Sequence, residues 1–330
     1  MRTLRFAPIL LITLSACAGL GARSDSADAT ASATASASSS ETSSRAFPVL
    51  DSARLMADLT RLSHDSMAGR ATGTPQNAQA RSWLVSEVRR LGLQPVNGSY
   101  EYAFTMPRRG RPDSVKGTNV IALLPGTGAS DKIIVLSAHF DHVGTRNGEI
   151  FNGADDNASG TSALLQMIAH FRAHPPKHTL LFAFFDAEEM GLLGARALVA
   201  NPPIPLARIA ANVNMDMVSR SDSARLWAAG GTPWPQLRPL LEQLAADAPL
   251  ALKLGFDSGT GRDNWMQLSD QGAFHSAGIP AVLFSVEDHA DYHKSTDDVE
   301  RIQPGFYYNA ARTIAEFVTR LDAALPLPPR

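Results

Sequence analysis

Several short segments of this chain place a histidine or an acid directly after an apolar run. In residues 137–142 (SAHFDH), His139 and Asp141 follow the apolar run 132–136. The carboxyl end of a buried strand lies at the sheet edge where open α/β folds bind ligands. Side chains alternate along a strand, so His139 and Asp141 share one face of it. Histidine and aspartate are both zinc ligands, and the pair is therefore a candidate metal site.

One His-x-Asp is weak evidence, because most isolated histidines are surface or core residues. Four further segments place acids or histidines beside probable strand ends: residues 153–160 (GADDNASG), 184–191 (FFDAEEMG), 214–217 (NMDM) and 291–294 (DYHK). Solvated loop acids would explain any one segment, but that explanation must then hold five times. The sequence therefore predicts a site for one or more divalent metals, and this donor set favours zinc.

The order of these motifs resembles that of the co-catalytic di-zinc aminopeptidases of metallopeptidase family 28. The series is His-x-Asp, Asp-Asp-Asn-Ala-Ser-Gly, Glu-Glu-x-Gly, Asn-x-Asp and Tyr-His. Residues 59–74 (LTRLSHDSMAGRATGT) are similar to the amino-terminal signature of that family, and the resemblance continues to the helix after Asp298. It implies an α/β fold, a three-layer α/β/α sandwich around a central mixed, mostly parallel sheet.

The resemblance also implies two Zn²⁺ ions and five ligands in two sets: His139 and Asp216 for one ion, Glu189 and His293 for the other, and Asp156 bridging both. Spacing alone leaves open whether Asp155 or Asp156 is the bridge. The bridging aspartate of the family directly precedes the Asn-Ala-Ser-Gly turn, which selects Asp156. The peptide bond that follows this aspartate is cis in the family.

Two zinc ions held close together can bind a bridging water, lower its pKa towards 7 and polarise a carbonyl. The resemblance makes Glu188 the general base that takes the water proton and later passes it to the leaving amine. It places the Asp141 carboxylate behind His139, where it orients the ring. Tyr292 is a candidate donor to the developing oxyanion. The alternatives are a supporting or surface acid at Glu188 and a tyrosine that only packs beside the site at Tyr292.

The remaining polar residues near the motifs receive no ligand role, because the ligand set is complete without them. His142, His275 and His289 are predicted to form pocket walls or surface. Asp186 is predicted to accept hydrogen bonds from loop backbone. Ser269-Asp270 lies in a segment that resembles one lining the family's pocket.

The coarse pattern of apolar runs alternates between strands and helices, which agrees with the fold that the resemblance implies. Predicted strands cover residues 119–124, 132–137, 179–185, 210–215, 225–229 and 281–285. Predicted helices cover residues 50–62, 76–91, 158–170, 191–200, 236–246 and 304–321. Gly92 is a helix-ending residue directly after the second of these helices.

The amino terminus has a separate pattern. Arg2 and Arg5 precede an apolar run, residues 7–14, that is too short to span a bilayer and is typical of a signal peptide. Residues 14–17 (LSAC) resemble a bacterial lipobox, and Cys17 is the only cysteine in the chain. We predict a signal peptide with lipobox over 1–17, a flexible Ala/Ser/Thr-rich tether over 18–45 and a zinc peptidase domain over 46–330. Plain secretion is the alternative to lipid anchoring.

The chain has 330 residues, 44% of them hydrophobic, and a net charge of -2, so it can bury a large core and has no basic excess for nucleic acid. The expected protein is an exported monomeric aminopeptidase that acts on peptide or protein amino termini. Lipid on Cys17 would be its only membrane attachment. Loops at 144–151, 230–235 and 255–264 are predicted to shape its pocket.

Three alternatives stay open at this stage. A glutaminyl cyclase has the same scaffold and typically one working zinc. A carboxypeptidase or dipeptidase of the same fold is the second, because the family also contains both. A non-enzymatic binding module would keep the fold without the metals.

Overall fold

The computed structural model describes residues 47–108 and 110–329. The predicted signal peptide, lipobox and tether lie outside the described residues and stay predictions. Within the described part of the chain, no helix is both long enough and apolar enough to cross a membrane.

The described residues form helices and strands that alternate along the chain. The α-helices are α1 (Ser52–Leu62), α2 (Pro75–Arg90), α3 (Gly160–Ala173), α4 (Leu193–Ala200), α5 (Arg238–Asp247), α6 (Gln271–Ser276) and α7 (Pro304–Ala324). The strands are β1 (Gln94–Pro95), β2 (Glu101–Pro107), β3 (Ser114–Leu124), β4 (Ile133–His139), β5 (Gly144–Arg146), β6 (Glu149–Phe151), β7 (Thr179–Phe185), β8 (Ile209–Met215), β9 (Arg225–Ala229), β10 (Ala251–Leu254) and β11 (Ala281–Ser285).

Nine of these strands form one mixed sheet, counted over the described ranges, in the order β1-β3-β7-β4-β8-β11-β9-β10, with β2 paired to β3. The four central strands β7, β4, β8 and β11 are parallel to one another. Strands β1, β2 and β3 add antiparallel pairings at one side, and β9 joins β11 antiparallel at the other. The short strands β5 and β6 form a separate hairpin.

Helices cover both faces of the sheet. Every residue of β4 is buried, as expected for a central parallel strand that is covered on both sides. Helices α1, α2, α3 and α7 contact one another in one layer, and α4 and α6 contact each other in the second layer. The predicted α/β/α architecture with a mixed sheet is confirmed.

The boundaries of α2 follow from its end residues. The Thr74 side chain accepts a hydrogen bond from the Asn77 backbone N–H. Pro75 occupies the first helical turn, where a backbone N–H would have no partner within the helix, so the lack of one in proline costs nothing. Gly92 follows the helix with φ 75°, a left-handed conformation that favours glycine. The predicted stop at Gly92 is confirmed.

The sequence-predicted strands and helices are all present, with ends that shift by a few residues. The prediction missed β2, because Phe104 is the one buried residue of this strand and no apolar run marks it. It also began β3 at residue 119, five residues late, because the first half of that strand is half-exposed. Both segments depend on pairing with each other rather than on an apolar run of their own.

Candidate metal centre

Parallel strands deliver the candidate ligands to one edge of the sheet. His139 is the last residue of β4, and Asp216 directly follows β8. Glu189 lies four residues after the end of β7, and His293 lies in the loop after β11. Because β7, β4, β8 and β11 are parallel neighbours, their carboxyl ends meet at the same edge.

Two groups of ligand-type side chains form at this edge, and they share Asp156. We call them subsite A, made of His139, Asp156 and Asp216, and subsite B, made of His142, Asp156, Glu189 and His293. In each group, one nitrogen or oxygen from every residue lies within 4.8 Å of the others. Four of the five predicted ligands therefore divide between the subsites and the fifth, Asp156, belongs to both.

The separations between ligand atoms fit tetrahedral zinc. In subsite A, His139 Nε2 lies 3.1 Å from Asp216 Oδ1 and 3.4 Å from Asp156 Oδ1. In subsite B, His293 Nε2 lies 3.1 Å from Asp156 Oδ2 and 3.3 Å from Glu189 Oε2. Zinc bonds of about 2.0–2.1 Å give a tetrahedron with edges of about 3.3–3.4 Å. The two carboxylate oxygens of Asp156 thus face different subsites.

The charges of the centre also fit a cation. Burial and the neighbouring Glu189 carboxylate raise the pKa of Asp156. Glu189 is itself partly buried, yet contacts with His142 and His293 hold its pKa below its usual range. Carboxylates packed this closely repel one another unless positive charge lies between them. Imidazole and carboxylate donors are also the usual oxygen and nitrogen ligands of zinc.

Hydrogen bonds on either side of Asp156 fix its direction. Its backbone N–H donates to Asp297 Oδ2 at 3.0 Å. Asp155 points elsewhere, and its Oδ1 accepts from the Ser219 backbone N–H and hydroxyl at 2.8 and 2.7 Å. His289 Nε2 lies 3.0 Å from Asp155 Oδ2. The structure therefore places Asp156, and not Asp155, between the two subsites, and His289 is a buried partner of Asp155 rather than a pocket wall or surface residue.

The peptide bond between Asp156 and Asn157 is cis, as the resemblance implied. Asn157 ties this turn to the end of β8. Its Nδ2 donates to the Met215 carbonyl at 2.9 Å, and its Oδ1 accepts from the Gly160 backbone N–H at 2.8 Å. The turn that carries Asp156 is thus held against the end of β8, directly before Asp216.

Glu188 lies beside subsite A, next to the candidate ligand Glu189. It is half-buried, and burial together with the nearby Asp216 and Asp270 carboxylates raises its pKa well above the usual range, against the opposing effect of His139. A carboxylate with a raised pKa binds a proton more strongly and is a better general base.

The Asp141 carboxylate positions the turn that carries these two acids. It accepts hydrogen bonds from the backbone N–H groups of Glu188 at 3.0 Å and Glu189 at 3.3 Å. The nearest partner of His139 Nδ1 is the main-chain carbonyl of Asp141 at 3.1 Å, and the Asp141 carboxylate oxygen is 3.7 Å away. Both the main-chain carbonyl and the carboxylate of Asp141 thus lie beside His139 Nδ1, and the same carboxylate holds the backbone of Glu188 and Glu189. The orienting role of the Asp141 carboxylate stays a prediction.

Tyr292 stacks on His293, with ring centroids 4.0 Å apart. Its pKa is raised by burial and by the Asp156 and Asp216 carboxylates, so the hydroxyl keeps its proton. Tyr292 therefore lies beside subsite B with its hydroxyl protonated, and its role as a donor to the oxyanion stays a prediction.

His142 is the main correction at this centre. It was predicted to be pocket wall or surface, but its side chain is fully buried and belongs to subsite B. The signal that could have found it is its position three residues after His139, in the same segment beyond β4. His275, in contrast, lies outside both subsites and contacts Trp234 through its Nδ1.

Two further acids lie behind the centre. Asp186 Oδ1 accepts from the Ala187 backbone N–H at 3.0 Å, in the loop after β7, so the predicted hydrogen bonding to loop backbone is confirmed. Its oxygens also accept from the backbone N–H of Thr118 in β3 and from the side chains of Thr72 and Asn77. Asp270 is fully buried, and neither carboxylate oxygen has a hydrogen-bond partner among the described residues. Burial and the carboxylates of Asp141 and Asp216 raise its pKa to about 8, against the effect of His139.

Sequence reasoning also missed the role of Arg70, which lies within the amino-terminal signature. Its guanidinium is completely buried and donates to four main-chain carbonyls: those of Leu62, Phe140, Asn152 and Gly153, at 2.5, 2.8, 2.7 and 3.1 Å. Burial lowers the pKa of Arg70 to about 10, while the carboxylates of Asp156 and Asp141 oppose that shift. Arg70 therefore joins the loop after β4 to the loop that leads to Asp156.

Replacing Arg70 with Met is expected to lower the free energy of unfolding by about 3 kcal/mol or more, because buried carbonyls lose their donors. Urea unfolding of the purified protein measures the change. The matched control is Arg225→Met, whose side chain is exposed on β9, and we expect it to shift stability by less than about 0.5 kcal/mol. Equal free energies of unfolding for the two variants would show that Arg70 does not stabilise the fold.

Fold and site together define an α/β protein with a candidate two-metal centre at the carboxyl edge of its sheet. The model of Peptidase family M28 matches residues 119–318, which is more than half of the chain. The chain therefore belongs to Peptidase family M28.

Curated relatives are similar over part of their length. Aminopeptidase YwaD of Bacillus subtilis (strain 168) is 31% identical over 186 residues, which are 52% of this chain and 37% of that protein. Leupeptin-inactivating enzyme 1 of Streptomyces exfoliatus is 29% identical over 242 residues, which are 64% of this chain and 50% of that protein. The chain thus spans half or less of the length of these relatives.

Solved structures are similar in fold. BSAP, a zinc aminopeptidase from Bacillus subtilis, matches with a TM-score of 0.65 at 18% identity, over 84% of this chain and 96% of that one. Fimbriiglobus ruber glutaminyl cyclase matches with a TM-score of 0.67 at 20% identity, over 83% of this chain and 97% of that one. At this identity the matches establish the shared fold.

Proposed function

We propose that this protein is a zinc-dependent exopeptidase, an aminopeptidase that hydrolyses the amino-terminal peptide bond of peptides with two Zn²⁺ ions. One observation carries the proposal: the two oxygens of Asp156 face two different ligand sets, at 3.4 Å from His139 Nε2 and 3.1 Å from His293 Nε2. A carboxylate shared in this way is the arrangement expected of a two-metal hydrolase site. Membership of Peptidase family M28 supports the same reaction.

In this proposal, subsites A and B would each hold one zinc ion. When bound, the ions would lower the pKa of the attacking water and polarise the substrate carbonyl. Glu188 takes the proton of that water on its carboxylate and later gives it to the leaving amine. The Tyr292 hydroxyl donates a hydrogen bond to the oxygen that gains negative charge. Asp141 holds the backbone of Glu188 and Glu189, so that the base keeps its position beside subsite A.

The glutaminyl cyclases are the main competing candidates, because the fold of a glutaminyl cyclase matches this chain as closely as the fold of BSAP does. The presence of two complete ligand sets favours hydrolysis with two metals over a reaction with one working zinc.

A carboxypeptidase or dipeptidase would use the same centre, so the choice of aminopeptidase depends on the family resemblance. We further propose that the substrates are amino termini of peptides outside the cytoplasm and that the protein acts as a monomer.

The test is metal content by elemental analysis of the purified protein, paired with hydrolysis of leucine-p-nitroanilide before and after chelation. We expect two zinc equivalents and an activity that is lost with the chelator and restored by added zinc. N-acetylated leucine-p-nitroanilide is the matched control, because an aminopeptidase needs a free amine. A single zinc with cyclisation of glutaminyl peptides would show a cyclase instead, and a metal-free protein without hydrolysis would show a binding module.

A further inference from the structure

His142 has the properties of a buried group that lacks its natural partner. Its side chain has no solvent exposure, and neither ring nitrogen makes a hydrogen bond with any described residue. A buried polar group without a partner is costly, so such groups in native proteins call for an explanation. A metal ion is one partner that would satisfy a neutral imidazole nitrogen.

The surroundings of His142 show which nitrogen would bind a metal. Its Nδ1 lies 2.7 Å from Glu189 Oε1 and 3.8 Å from Asp156 Oδ2. The first distance is short enough for a hydrogen bond, but both atoms are without a hydrogen-bond partner, so they are not aligned as donor and acceptor. The 2.7 Å separation is shorter than the tetrahedral edge of about 3.3–3.4 Å and the 3.8 Å separation is longer. What both distances show is that Nδ1, rather than Nε2, faces the carboxylates of subsite B.

Space for the ring is provided by Gly153. A Cβ added at this glycine would lie 2.5 Å from His142 Cδ2 and 2.1 Å from the Asp156 carbonyl oxygen, and the residue has φ 58°. Any larger residue there would push against both His142 and the turn that carries Asp156. The same glycine carbonyl also accepts from Arg70, which fixes this loop. The His142 ring is therefore held in place beside subsite B.

We propose that His142 Nδ1 is a fourth protein ligand of the metal at subsite B, in addition to Asp156, Glu189 and His293. The proposal rests on the proposed two-metal centre and deepens it, because it makes the two subsites unequal. Subsite B then has four protein ligands, the number typical of closed zinc sites, whereas subsite A has three and keeps an open position for water or substrate. Subsite B accordingly holds its ion more tightly than subsite A.

The first test measures zinc affinity by competition with a chromophoric chelator, which does not depend on activity. The wild-type protein is expected to release its two equivalents in two steps. His142→Asn should weaken the tighter step by about a hundredfold or more, because removing even a supporting partner of a ligand costs up to about that amount. His139→Asn, the matched variant in subsite A, should weaken the other step. His289→Asn, a buried histidine outside both subsites, should leave both steps unchanged.

The second test uses the wild-type protein and is independent of how the variants fold. With one equivalent of zinc bound, X-ray absorption at the zinc edge counts the imidazoles around the ion. We expect two, from His142 and His293. A single imidazole, or unchanged zinc affinity in His142→Asn, would overturn the proposal and show that His142 only packs against Glu189.

These outcomes separate this proposal from the proposed function. Two-step release with two imidazoles at the tighter site supports the role of His142 even if leucine-p-nitroanilide is not hydrolysed. Hydrolysis with two equal zinc sites supports the aminopeptidase and overturns the role of His142. A protein that binds no zinc overturns both.

Discussion

Glu188→Gln is expected to lower kcat for leucine-p-nitroanilide by at least about a hundredfold, the usual minimum for the loss of an acid–base group. Gln has the size of Glu and keeps the backbone N–H that donates to Asp141, so the turn should be unchanged. It cannot take a proton from water, which is why turnover rather than binding should fall. Steady-state kinetics measures the effect, together with elemental analysis and thermal unfolding.

The zinc content and thermal midpoint of Glu188→Gln should match those of the wild type. Glu300→Gln is the matched control, because Glu300 is exposed in the 3₁₀-helix Val299–Arg301 and lies outside both subsites. We expect the control to keep wild-type kcat. Near-normal turnover in Glu188→Gln would remove Glu188 from the mechanism, and loss of zinc would make it part of the metal centre instead.

Asp156→Ala is expected to abolish the binding of both zinc ions, because each subsite loses one of its carboxylate ligands in a single change. Hydrolysis should fall to background for the same reason. Elemental analysis after dialysis measures the metal content directly. Zinc should also no longer raise the thermal midpoint, since a ligand stabilises a protein only to the extent that the folded state binds it.

Asp155→Asn is the matched control for this change. Asp155 precedes Asp156 and is equally buried, but it faces Ser219 and His289. We expect this variant to keep two zinc equivalents while unfolding at a lower temperature. Two equivalents bound to Asp156→Ala, or loss of both from Asp155→Asn alone, would show that the bridging assignment is wrong.

Local sequence is enough to predict most of the secondary structure and the order of the motifs. The apolar runs that become β4, β7 and β8 end where His139, Asp186 and Asp216 begin the polar segments. A strand end next to a ligand-type residue can be recognised without knowing which strand is its neighbour. The family resemblance added the division of the ligands into two sets.

Contacts between distant segments decided the remaining features. β2 is a strand only through its pairing with β3, since its own side chains are largely exposed. The Asp141 carboxylate was predicted to lie behind His139, and the structure shows that it also accepts from the backbone of a turn 47 residues later. That second contact depends on the path of the loop after β7, which a local sequence pattern does not specify.

By itself, the sequence determined the α/β class, the strand ends and the set of acids and histidines that meet there, because these follow from local periodicity and the alternation of elements. Spacing left Asp155 and Asp156 open, and the family resemblance selected Asp156, which the structure places between the subsites. Only the tertiary structure decided that His142 is buried beside Glu189. It also decided that Arg70 joins the loops of the centre. These features depend on where loops separated by many residues approach one another, and that is set by the order of strands in the sheet and by packing around it.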